Sequence, residues 1–179
     1  MPSCAIHNND HSKDVEYARN VISIMWGTNE VGEQHFGDKS VRSFERSPAL
    51  LRMTFSDIRA VNIQGIETGA FTVDTERIET VMKACANALH FHGTSERITN
   101  WEIVLPNLRL PNDATEAAST AWFQVISLFR QMTFQVKPTA SPDVFQYAIA
   151  KIEGGNVYSL RFFKNFRVHA YAADLKGNS

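Results

Sequence analysis

Three segments of the chain repeat hydrophobic residues at helical spacing, and each has suitable helix ends. Ser12 and Gly27 bound the first segment, Asp74 and Gly93 the second, and the third runs over residues 113–132. The pattern predicts three amphipathic helices, each with one buried face. The expected buried positions are Val15, Ala18, Ile22 and Met25 in the first; Ile78, Val81, Met82, Cys85, Ala88 and Leu89 in the second; and Ala117, Ala118, Ala121, Trp122, Val125, Ile126 and Phe129 in the third.

The stretch between the first two helices predicts shorter elements. Residues 28–38 are rich in Gly, Asn and Glu and favour a loop. Ser47-Pro48 separates two expected short helices, over residues 39–45 and 49–58. Two glycine-marked apolar runs, 62–66 and 68–73, then indicate a β-hairpin.

In the last third of the chain the hydrophobic pattern changes to a period of two, which is typical of strands. Residues 101–105 predict one strand. Runs at 145–149, 157–162 and 166–170, separated by turns at Gly154-Gly155-Asn156 and Lys164-Asn165, predict a three-stranded antiparallel meander. The expected fold class is α+β, with a helical N-terminal half and a C-terminal antiparallel sheet.

Composition narrows the class of protein. The 179 residues include 44% hydrophobic residues and carry a formal charge of -1, so an ordered domain is expected and bulk charge gives no sign of polyanion binding. We expect a single α+β domain over residues 13–174 and a flexible tail at 175–179. Two cysteines and the absence of a long apolar run favour a cytoplasmic protein with no membrane association.

The N-terminus carries a possible metal-binding pattern. Cys4 and His7 have the two-residue gap of a zinc knuckle, but a structural zinc site needs four ligands. The remaining ligands would come from His11, from a distant histidine, or from a second copy in a homodimer. Otherwise the pattern is an ordinary polar terminus, and the chain needs no cofactor.

The run Cys4-x-x-His7-Asn8-Asn9-x-x-Ser12-Lys13-Asp14-x-Glu16-Tyr17 resembles the closing half of zinc-knuckle HNH endonucleases. Segments 71–97, 145–147 and 157–163 are similar to later parts of such proteins. The resemblance implies that residues 1–12 are a knuckle-like remnant, that Cys4 and His7 are zinc ligands, and that Asn8 is the last position of the HNH signature. Only three residues precede Cys4, so we expect the first half of the site, with its general-base histidine, to be missing and the chain alone to be non-catalytic.

A basic strip follows near the C-terminus. Residues 151–179 hold five Lys or Arg against two acids, and Arg161, Lys164 and Arg167 alternate there with aromatic residues. Such a strip can contact phosphates and stack bases of nucleic acid. Strand alternation alone also produces it, with the aromatic residues in the core and the cations in solvent.

Other polar residues favour structural interpretations. His90 and His92 end a predicted helix and would point in different directions; they could share a metal only if that segment were extended. Cys85 lies on an apolar face and is expected to be a core thiol, while the pairs Glu30/Glu33 and Glu76/Glu79 are expected to be solvated. Phosphate-loop, dinucleotide and nucleophile-elbow motifs are absent from the sequence.

Two function classes therefore remain. One is a non-catalytic HNH-associated domain that binds nucleic acid or a protein partner. The other is a stand-alone module, unrelated to nucleases, that binds a protein or a small ligand.

Overall fold

The fold is α+β, with a helical N-terminal half and a C-terminal antiparallel sheet, which confirms the predicted class. A computed structural model describes residues 5–63, 65–108 and 116–172. The chain divides after Val81 into two compact units, and each is described by itself. The division falls inside one helix, α5 (Thr75–Thr94).

The N-terminal unit is built from helices and one hairpin. The elements are α1 (Ala5–Ile24), α2 (Glu30–His35), a π-helix (Phe36–Ser40), α3 (Val41–Arg46), α4 (Pro48–Thr54), β1 (Ser56–Ile63) and β2 (Ile66–Thr72). Helix α1 buries Tyr17, Ala18, Val21 and Ile22, and the short elements after it contact it. The side chains of Asn29 and Ser47 accept hydrogen bonds from backbone N–H groups at the start of α2 and α4.

Several expected boundaries in this unit were wrong. Helix α1 begins before Ser12, which therefore lies inside the helix, and Val15 is 43% exposed instead of buried. The expected loop at 28–38 is helical, because Asn29 caps α2 and two acids lie in its first turn. The expected helix over 49–58 ends at Thr54, and β1 begins at Ser56. The hairpin is present, although β1 starts earlier than predicted.

Helix α5 (Thr75–Thr94) matches the second predicted helix. The side-chain oxygen of Asp74 accepts a hydrogen bond from the backbone N–H of Arg77, as its predicted capping role requires. The buried face is rotated from the expected one: Ala86 and His90 are buried, and Ala88 is exposed. Ile78, Val81 and Met82 are buried as expected.

Beyond α5, the C-terminal unit contains β3 (Trp101–Val104), α6 (Glu116–Gln131), β4 (Gln135–Lys137), β5 (Phe145–Ile152), β6 (Gly155–Phe162) and β7 (Phe166–Ala172). The five strands form one antiparallel sheet of order β3-β7-β6-β5-β4. The predicted meander and the strand near residue 101 are both present, while β4 was missed because it has only three residues. Helix α6 packs against one face through Phe129, which joins a cluster with Val104, Ala150 and Val157.

The other sheet face carries an aromatic group at β3 and β6. Trp101 and Tyr158 meet edge to face with ring centroids 5.7 Å apart, and His90 contacts both rings. The ring Nδ1 of His90 lies 3.0 Å from the hydroxyl of Tyr158. These three packed rings cover this face of the sheet at β3 and β6.

No helix in the described part of the chain has the length and apolar character needed to cross a membrane. The predicted flexible tail at 175–179 lies outside the described residues, as does Cys4 of the knuckle-like remnant. The predicted domain boundaries stay predictions.

Candidate functional site

The N-terminal knuckle residues are only partly described. His7 and Asn8 belong to helix α1. The structure does not describe their side chains or the side chain of His11. Within the described ranges, no group of three His, Cys, Asp or Glu side chains is placed to hold a metal ion. The zinc hypothesis therefore stays a prediction.

The basic strip has a definite geometry. Arg161 of β6 and Arg167 of β7 are paired directly across the two strands, and the next pair along this face is Ser159 with His169. Because paired residues and every second residue share a face of an antiparallel sheet, all four side chains lie on the α6 side. The two arginines thus lie at the polar end of the face whose other end is the apolar cluster around Phe129.

Lys164 reaches the same place from the turn between β6 and β7. Phe163 and Lys164 both have a positive φ, of 45° and 62°, a conformation that residues other than glycine seldom adopt. The backbone carbonyl of Lys164 accepts a 2.5 Å hydrogen bond from Nε of Arg161. Phe163 is only 5% exposed, so burial of its ring holds this strained turn in place.

These residues line one pocket of about 470 Å³, here called the basic pocket. Its volume lies within the range of small-molecule sites. One end is polar and cationic, and the other is apolar. The lining residues are Arg130, Arg161, Lys164, Arg167, Asn107, Ser159, Asn165 and His169, together with Pro106, Ile126, Phe129, Met132 and Phe134.

The charge of the basic pocket is one-sided. Four cationic side chains line it, and none of its described lining residues is acidic. Lys164 pairs with Asp143 outside the lining, with Nζ and Oδ1 2.7 Å apart and both side chains more than half exposed. Arg130, Arg161 and Arg167 form no ion pair with a carboxylate among the described residues. The pocket is therefore an attractive environment for an anion.

His169 adds a neutral polar group. Its ring stacks on Phe129 at 4.3 Å between centroids and lies 5.7 Å from Phe134, so aromatic rings lie against it. Burial, with a smaller effect of Arg167, lowers the pKa of His169 to about 4, so the ring is uncharged at neutral pH. Its Nδ1 is buried and has no hydrogen-bond partner among the described residues. A buried polar atom without a partner is costly, typically about 1–3 kcal/mol.

Sequence reasoning found part of this site. It named Arg161, Lys164 and Arg167, and the structure places all three at one pocket. It missed Arg130, His169 and Asn107, whose side chain accepts a 2.7 Å hydrogen bond from the backbone N–H of Arg167. Strand alternation carried a signal for His169, because it lies two residues after Arg167 on the same face. Arg130 and Asn107 reach the pocket from other parts of the chain, and the sequence of the basic strip gives no sign of them.

The remaining candidates lie elsewhere. His90 is buried and His92 is exposed, on a segment that is helical, so the extended arrangement that would have paired them is absent. Cys85 is half-buried, and burial raises the pKa of its thiol. Neither histidine nor the thiol lines the basic pocket.

Comparison with known proteins found no matching family model, curated protein or solved structure. The similarity to HNH-associated proteins stays a prediction.

Proposed function

We propose that the protein is a non-catalytic binding module and that it takes a small anionic ligand in the basic pocket. The observation that carries this proposal is the meeting of Arg161, Arg167 and Arg130 at one cavity with no carboxylate to neutralise them among the described residues. Guanidinium groups in such a cluster bind anions through paired, charge-assisted hydrogen bonds.

Two features support a small ligand over a nucleic-acid strand. Single-strand binding needs an open basic track with ring faces free for the bases. Here Phe129 and His169 stack on each other and are 7% and 5% exposed, so neither offers a free stacking surface. The cations also converge on one cavity instead of following a line along the surface.

A titration of ¹⁵N-labelled protein with inorganic phosphate tests the proposal. We expect the amide signals of Ser159, Arg167 and Asn107 to move in a saturable way. The variant Arg167→Gln should bind phosphate at least tenfold more weakly, because a charged hydrogen-bond partner is lost. Lys151→Gln is the matched control, since Lys151 is an exposed cation of the same sheet that does not line the pocket.

Three results would contradict the proposal. They are the absence of saturable shifts, equal weakening by both variants, or phosphate shifts that cluster away from the basic pocket. A labelled oligothymidylate that binds far more tightly than phosphate, and loses that affinity in Arg167→Gln, would favour the nucleic-acid interpretation instead. The proposal gives Cys4 no role, so Cys4→Ala should leave phosphate binding unchanged.

The HNH-associated origin is a separate proposal. Zinc binding at Cys4 and His7, a homodimer completed by two such halves, and a cytoplasmic location all stay predictions. None of them is needed for ligand binding in the basic pocket.

A further inference from the structure

The basic pocket has two chemically different ends, and both must be matched by one ligand. Arg161, Arg167 and Lys164 lie at the polar end. Ile126, Met132 and Phe134 are half-buried residues that supply an apolar wall of the same cavity. A bare inorganic anion would leave that wall in contact with water.

The positive charge at the polar end is larger than a single carboxylate can neutralise. The two arginines face each other across the β6–β7 ladder, where like charges destabilise the pairing, and no described carboxylate lies between them. A carboxylate supplies one negative charge and two oxygens. A phosphate monoester supplies close to two charges and three terminal oxygens, enough for both guanidinium forks.

We propose that the ligand of the basic pocket is an organic phosphate monoester, with its phosphate between Arg161 and Arg167 and its apolar body against Phe134, Met132 and Ile126. This inference rests on the proposed function and adds the chemical class of the ligand. An ester also matches the two ends of the pocket, because one oxygen atom joins its phosphate to its apolar body.

His169 fits the same ligand. Its ring lies against Phe129 and Phe134, at the border between the two ends. The ring adds no positive charge at neutral pH, so the charge that meets the ligand comes from the arginines and Lys164.

Calorimetric titrations with three probes test the inference: inorganic phosphate, phenyl phosphate and benzoate. We expect phenyl phosphate to bind on the order of tenfold more tightly than inorganic phosphate, because its ring leaves water for the apolar wall. We expect it to exceed benzoate by a similar factor, because benzoate carries one charge. Equal affinities of phenyl phosphate and inorganic phosphate, or of phenyl phosphate and benzoate, would overturn the inference.

Two variants assign the effect to the two ends. Phe134→Gln should remove most of the advantage of phenyl phosphate and leave inorganic phosphate unchanged, because it replaces part of the apolar wall by a polar side chain. Arg161→Gln should weaken both phosphates at least tenfold. If Phe134→Gln leaves the advantage of phenyl phosphate intact, the proposed place of the apolar body is wrong. Amide spectra of each variant establish that the sheet is intact before binding is compared.

The two proposals fail in different ways. If none of the three probes binds, the proposed function fails. If inorganic phosphate and benzoate bind in the basic pocket and phenyl phosphate gains nothing, the proposed function stands and the ester inference fails.

Discussion

Burial controls the protonation of His169. The side chain is 5% exposed, and its pKa of about 4 lies below the ordinary value of 6.5. The folded protein therefore binds fewer protons than the unfolded chain between these two values. In that window the free energy of unfolding must fall as the pH falls.

We expect His169 to contribute about 3 kcal/mol of stability above pH 6.5 that is lost as the pH falls to about 4, at roughly 1.4 kcal/mol per pH unit. Urea unfolding of the C-terminal unit at several pH values measures this loss. His169→Gln should lower stability at neutral pH and lose less of it on acidification. Parallel pH profiles for the two proteins would show that His169 titrates normally in the folded state.

In the N-terminal unit, the side chain of Tyr17 has both an apolar and a polar role. It is fully buried, and its hydroxyl oxygen accepts a 2.8 Å hydrogen bond from the backbone N–H of Asp74 at the start of α5. Arg77 lies over its ring, with the guanidinium carbon 4.6 Å from the ring centroid, and donates to Asp14 at 2.6 Å.

Tyr17→Phe should destabilise the N-terminal unit by about 1 kcal/mol, because the ring is kept and one hydrogen bond is lost. Chemical unfolding followed by helical circular dichroism measures the change. Tyr147→Phe is the control, since Tyr147 is a half-buried tyrosine of the sheet whose hydroxyl forms no hydrogen bond with the described residues. A loss of the same size in both variants would mean that the bond to Asp74 is not its cause.

At the level of elements, backbone conformation decides the effect of glycine substitution. A Cβ atom added to Gly93 or to Gly65 would meet no described atom within 4 Å. Gly93 lies in α5, whereas Gly65 follows β1 with φ +86°. Space is thus equal at the two positions, and only backbone geometry differs.

Gly93→Ala should therefore stabilise the protein by about 0.5–1 kcal/mol, because alanine loses less backbone entropy in a helix. Gly65→Ala should destabilise it by about 1 kcal/mol, because alanine is strained at positive φ. Thermal unfolding of both variants gives the two signs. Shifts of the same sign would contradict a backbone origin for either effect.

The predicted elements succeeded where a long pattern repeats and failed where a local contact decides. Helix α5 and the C-terminal meander each repeat one period over many residues. Helix α2 depends on a single cap, the side chain of Asn29, and is too short to show a period. The same is true of strand β4, which has three residues. The rotated buried face of α5 reflects His90, a polar residue that is buried because Tyr158 lies within hydrogen-bonding distance.

At the level of the whole molecule, the basic pocket joins residues from distant parts of the chain. Arg161, Lys164 and Arg167 are neighbours in sequence and could be named from it. Asn107 and Arg130 arrive from the segment after β3 and from the end of α6. Tertiary packing brings them together, and no local spacing encodes that meeting.

Ligand binding should also raise the stability of the C-terminal unit, because the basic pocket exists only in the folded state. Phenyl phosphate at about 100 times its dissociation constant should add roughly 2.7 kcal/mol to the free energy of unfolding. Thermal unfolding monitored by amide signals of β6 and β7 measures the shift. Arg161→Gln should need a correspondingly higher concentration for the same shift, and an unchanged requirement would place the ligand elsewhere.

The facing pair Arg161 and Arg167 has one further consequence, for ionic strength. Dissolved salt screens the repulsion between the two guanidinium groups, and so it strengthens the empty sheet at this end. The same screening weakens the attraction of the pair for an anion. Raising the salt concentration therefore reduces the destabilising effect of this pair on the empty sheet while it lowers the affinity for an anion, and the two effects have opposite signs because they arise from the same two charges.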